Sequence, residues 1–121
     1  MPFLILLAGL AGAAPLPTDW QTVYVVTQSR TASGPVLSED ALRLLDTLQA
    51  QYAQKLRAEG KAVAGGVLDD GATEPSSLLL LCADSVAAAR ALAEGDPRVQ
   101  FGQVTTEVRA WRVPAGAIAC P

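Results

Sequence analysis

The chain opens on an apolar run, Phe3 to Ala14 (FLILLAGLAGAA), with no charge before Asp19 and a break at Pro15-Leu16-Pro17-Thr18. About a dozen apolar residues are too few for a transmembrane helix, which needs roughly 20. They match the core of an export signal, roughly 7 to 15 residues followed by small residues at the cleavage site. Ala11-Gly12-Ala13 supplies those small residues, so 1–14 reads as a signal peptide cut near Ala13 or Ala14. The alternatives are an uncleaved membrane anchor or a misassigned start, because Met1-Pro2 brings no Lys or Arg.

After this head the pattern changes period. Trp20 to Thr27 (WQTVYVVT) is aromatic and β-branched, the signature of a strand. Gln28 to Leu37, with Ser33-Gly34-Pro35, reads as a loop. Ser38 then offers an N-cap, with Glu39 and Asp40 in the first turn where the helix dipole favours acids. Ala41, Leu44, Leu45, Leu48, Tyr52 and Leu56 repeat at three and four up to a stop at Gly60, which predicts one amphipathic helix. Lys61 to Leu68 is a short apolar strand, with Gly65-Gly66 suiting close approach by a neighbour.

Asp69-Asp70-Gly71 turns the chain towards Leu78 to Cys82, an unbroken apolar run of central-strand length. Asp84 or Ser85 caps a second helix, Val86 to Glu94, which Gly95 ends. The last strand, Gln103 to Val113, sets Val104, Val108 and Ala110 on one face and Glu107, Arg109 and Trp111 on the other. The order βαββαβ predicts an α+β, ferredoxin-like domain over residues 20–116, with 117–121 as a C-terminal tail. Two helices cover only one face of a four-stranded antiparallel sheet, yet Leu78 to Leu81 are apolar on both. A second copy packed sheet to sheet is the expected cover, giving a homodimer.

Composition narrows the chemistry. With 121 residues there is room for one domain, and half the residues are apolar, enough for a core. Lys+Arg 9 against Asp+Glu 12 leaves a net charge of −3, so no nucleic-acid partner is expected. Histidine is absent, which removes the commonest zinc ligand and any Ser-His or Cys-His nucleophile pair. Neither GxGxxG nor GxxxxGK[ST] occurs, so no cofactor is expected, and with no CxxC and no His beside the cysteines no metal is expected either. Export would permit a disulfide. The two cysteines are read first as a buried Cys82 with a loose thiol at Cys120, and second as a bridge that pins the tail.

The string Ala88-Ala89-Arg90-Ala91-Leu92-Ala93-Glu94-Gly95-Asp96-Pro97-Arg98-Val99-Gln100-Phe101-Gly102 is the most specific part of the chain. With Leu56-Arg57-Ala58-Glu59-Gly60-Lys61, Ala64-Gly65-Gly66, Asp69-Asp70-Gly71 and Glu107-Val108-Arg109-Ala110-Trp111, it resembles the YciI-like (YCII-related) domain, over Tyr24 to about Gly116. The resemblance implies a dimeric α/β barrel with a pocket between the first helix and the sheet. It also implies chemistry on histidines and an acidic partner, and here the chain departs from the pattern. Gln49 and Tyr52 stand in the first helix, and Arg109 in the last strand, where such proteins often carry His.

The candidate ligand-binding residues are therefore Gln49, Tyr52, Asp96 and Arg109. Each has a plainer reading. Asp96 can cap the turn that Pro97 starts, Tyr52 can simply continue the apolar stripe, and Arg109 can pair with Glu107 on a wet face instead of clamping an anion. Asp69 and Asp70, which could hold a cation with Glu74, read first as turn residues. The expected function is binding of a small organic molecule without the family's histidine chemistry. The alternative is a cofactor-independent lyase, isomerase or oxygenase acting on a small organic acid or aromatic. Protein isolated from its host is expected to begin near Pro15 and to lie outside the cytoplasm; N-terminal sequencing that recovers Met1 from the cytosol would overturn the export reading.

Overall fold

The computed structural model describes residues 19–121, so the expected signal segment lies outside the described residues. Four strands, β1 (Trp20–Arg30), β2 (Ala62–Val67), β3 (Ser77–Leu81) and β4 (Val104–Pro114), form one antiparallel sheet in the order β2-β3-β1-β4. Between them lie α1 (Glu39–Ala58), α2 (Val86–Glu94) and a single turn, α3 (Pro97–Gln100). This is the ferredoxin-like arrangement that the βαββαβ pattern predicts, with α3 added.

The helices start where the sequence provides caps. Ser38 Oγ accepts from the Ala41 amide, Ser85 Oγ from that of Ala88, and Asp96 from that of Arg98. The inward stripe of α1 is rotated from the expected one. Leu45 and Leu56 are buried and Gln49 and Tyr52 half-buried, whereas Leu44 and Leu48 turn outward at 61% and 37% exposure. Spacings of four, three and four along Leu45, Gln49, Tyr52 and Leu56 hold one face of a 3.6-residue helix, and Leu44 and Leu48 fall about 100° round from it.

β1 continues three residues past the expected strand end, because β4 pairs with it from Trp20↔Pro114 to Arg30↔Val104. Pairing of this kind overrides the weak local preference of Gln28-Ser29-Arg30. Along β1, Tyr24 and Val26 face the helices and pack with Leu56, Leu81, Ala89 and Ala93 as the core. Register then sends Val23, Val25 and Thr27 to the opposite face, beside Leu80, Leu78, Glu107, Arg109 and Trp111.

That opposite face is partly closed by the chain itself. Val23 and Val113 lie on it, yet they are 0% and 6% exposed. The tail runs back across this end of the sheet: Gln21 Nε2 donates to the Ile118 carbonyl at 2.8 Å, and Gln21 Oε1 accepts from the amides of Gly116 and Ile118. Cys120 is bonded to Cys82, which follows β3, with Cα atoms 5.7 Å apart. The expectation of a loose tail thiol is thus corrected. Cys82 directly follows Leu81, the register partner of Tyr24, and the returning tail brings Cys120 within bonding reach, a juxtaposition that 38 residues of separation conceal.

Leu81, fully buried between β1, β2 and the helices, is expected to lose ~3 kcal/mol of stability as Leu81→Ala. A urea titration would read this as a lower midpoint with an unchanged slope.

Candidate functional site

Beyond Tyr24 and Val26, the same strand alternation places a third inward side chain, Gln28, 6% exposed. A buried amide needs partners, and Gln28 finds three, one on β3 and two at the start of α3. Its Nε2 donates to Asp96 Oδ2 at 2.8 Å, and its Oε1 accepts from Ser77 Oγ and from Arg98 Nη2, both at 3.1 Å. Asp96, also 6% exposed, uses its other oxygen to accept the Arg98 amide at 2.8 Å, which caps α3. One carboxylate therefore fixes both the helix start and the glutamine.

Above this network opens a half-enclosed cleft of about 470 Å³. Leu79 and Val104 give it an apolar floor, while Gln28, Gln49, Asp96 and Arg98 give it a polar wall. At the rim, Arg30 is held by Glu74, which accepts from its Nε at 3.1 Å and its backbone amide at 2.9 Å. The glycines of β2 border the space. A Cβ at Gly65 would lie 2.8 Å from Leu79 Cδ1, and one at Gly66 would meet nothing within 4 Å. Gly65 is thus the close approach expected from the sequence; Gly66, in register with Leu78, turns its Cβ position to the opposite face.

Of the four candidate residues, Gln49 and Asp96 come together in this cleft. Asp96 also performs the cap that was its plainer reading. Tyr52 stands beside them in a structural role. Its hydroxyl donates to the Leu92 carbonyl at 2.7 Å, in the last turn of α2, where the Asp96 amide has turned instead to Ala93. The ring lies against Gly95, where a Cβ would collide with the hydroxyl. Burial, and second the charge of Asp96, raise the Tyr52 phenol above its ordinary 10.0.

Arg109 does not join the cleft; it is exposed on the opposite sheet face, in register with Val25. The single-residue period separates it from Gln28, because odd and even positions of paired strands point apart. Asp70 accepts the Ala72 amide in an ordinary turn, and Glu74 is engaged with Arg30. Sequence reasoning missed Gln28, Ser77 and Arg98. The alternation Tyr24, Val26, Gln28 was the signal for the first, hidden by assigning Gln28 to a loop.

A model of the YCII-related domain matches residues 24–112. Among solved structures, the chain is similar to 5-chloro-2-hydroxyhydroquinone dehydrochlorinase from Burkholderia phenoliruptrix AC1100, in complex with 2,5-dihydroxybenzoquinone. The two share 20% identity at a TM-score of 0.56, covering 74% of this chain and 92% of that one, a likeness of fold. No curated protein matches the chain.

Tyr52→Phe is expected to cost ~1 to 2 kcal/mol by leaving the Leu92 carbonyl unpaired. Because the folded-state pKa lies above the unfolded value, the phenol's contribution is fully present below pH ~10 and is lost as pH rises through the folded pKa. Denaturation measured from neutral to strongly alkaline pH should therefore show a decline that Tyr52→Phe makes shallower.

Proposed function

The chain belongs to the YCII-related domain family, and from that premise we propose that it binds a small organic molecule, of hydroxylated aromatic or organic-acid type, in the cleft over Gln28. The observation that carries this reading is the pairing of an apolar floor with a wall of convergent, mutually fixed polar groups, the usual make-up of a small-molecule site. A flat ring would lie on Leu79 and Val104, and its oxygens would meet the Gln49 amide and the Arg98 guanidinium. The structural neighbour's small aromatic substrate favours the same ligand class.

The residues present support binding without the family's histidine chemistry. The buried carboxylate of the cleft, Asp96, is engaged in structure, accepting from Gln28 with one oxygen and from the Arg98 amide that starts α3 with the other. Gln49 and Tyr52 offer an amide and a high-pKa phenol where proton exchange near neutral pH would need an imidazole.

The protein acts, in this reading, as an exported homodimer. Cys82–Cys120 supports export, since such bridges persist in oxidising compartments. Half-buried Val25, Leu78 and Leu80, with Trp111 at 46% exposure, support a second copy on the open part of the sheet. Light scattering is expected to give twice the chain mass, and Leu80→Glu to give a folded monomer. A monomeric parent would refute the dimer.

The ligand reading is tested by a thermal-shift screen of small hydroxylated aromatics and organic acids on the mature protein. A compound that raises Tm should bind at least tenfold more weakly to Gln49→Ala and to Arg98→Ala, which remove the two groups its oxygens would meet, and equally well to Arg109→Ala. A hit insensitive to both cleft variants would place binding elsewhere and discard this site.

A further inference from the structure

Gly116 to Pro121 form a strap that is held at two points. Gln21 grips its near half through three hydrogen bonds, and the Cys82–Cys120 bond fastens its far end. The final ring, Pro121, lies against Gly60, filling the position a Cβ would take there. Gly60 has a φ of +72°, which suits glycine, so the helix end and the strap fit through the same residue. Two consequences depend on the strap. Val23 and Val113 lie buried on the sheet face that carries no helix. A second cleft of about 510 Å³, on the side of the sheet end away from Gln28, takes Cys82, Cys120 and Pro121 as one wall and Lys61, Ala88 and Leu92 as the others.

We propose that the Cys82–Cys120 bond is an oxidation-dependent latch: only the oxidised chain closes the strap, and with it the helix-free sheet face at Val23 and Val113 and the wall of the second cleft. The strap has no strand or helix of its own, and most of its residues are exposed. Hydrogen bonds to one glutamine side chain are too few to offset the entropy of ordering a free tail, so the covalent bond decides between closed and open. The chemistry is thiol–disulfide exchange. A dithiol reductant supplies two electrons and two protons, the Sγ–Sγ bond breaks to give two thiols, and the reductant leaves as its own disulfide. The reverse step, with a disulfide-bearing oxidant as electron acceptor, closes the latch. A chain made in a reducing compartment thus carries an open strap until it meets an oxidant.

Hydrogen exchange on the full chain, oxidised and after treatment with dithiothreitol, tests this. The amides of Gly116 and Ile118, which bond to Gln21, and of Cys120 should exchange at least tenfold faster once reduced. Those of β1 and β4 around Val25 and Val108 should keep their protection. Cys120→Ser should behave as the reduced protein under all conditions, and Gln21→Ala, with the bond intact, should keep Cys120 protected. Equal protection of the strap before and after reduction would overturn the proposal, because Gln21 alone would then hold it. Loss of protection across the whole sheet would also overturn it, because the bond would then sustain the fold and not a local latch.

Discussion

β1 is hydrogen-bonded along both edges, to β3 on one side and to β4 over all eleven of its residues on the other. Its side chains therefore have no freedom to choose a face: even positions point to the helices and odd positions away. Tyr24 and Val26 make the core, and Gln28, next in the even series, becomes the centre of the polar network. Gln21 and Val23, in the odd series, receive the returning tail. Core, cleft and strap are three readings of one register.

The price of this economy is a buried amide. Gln28 is tolerated because Asp96, Ser77 and Arg98 engage both ends of its amide, which ties it to β3 and to the start of α3. Asp96 is the most constrained of the three. It ends the turn after α2, caps α3 and holds Gln28, so the single turn Pro97–Gln100 is positioned by the same carboxylate that defines the cleft wall. Cleft geometry is thus coupled to the packing of α2 and α3, which Tyr52 fixes from α1 by its bond to the Leu92 carbonyl.

The two ends of the sheet are organised by different chemistry. At one end a non-covalent network leaves a half-open space with Gly65 and Gly66 on its border. At the other, a covalent bond draws the tail across the strands and against Gly60. Between them, Val25, Leu78 and Leu80 form an apolar centre on the helix-free face, bordered on β4 by the exposed Glu107 and Arg109.

Element order, helix caps and the ferredoxin-like topology were legible in the sequence, because strand alternation, Ser38, Ser85 and the glycine stops are local signals that act within a few residues. Asp96 and Gln49, both named from the sequence, line the cleft. What sequence alone left open were relations between strands. Gln28 entered the site only once β4 extended β1, Arg109 left it by the one-residue offset that separates the two faces, and Leu44 and Leu48 turned outward as α1 settled on Leu45 and Leu56. The bond between Cys82 and Cys120 belongs to the same class, since the meeting of residues 38 apart is set by how the tail returns over the sheet and by nothing local to either cysteine.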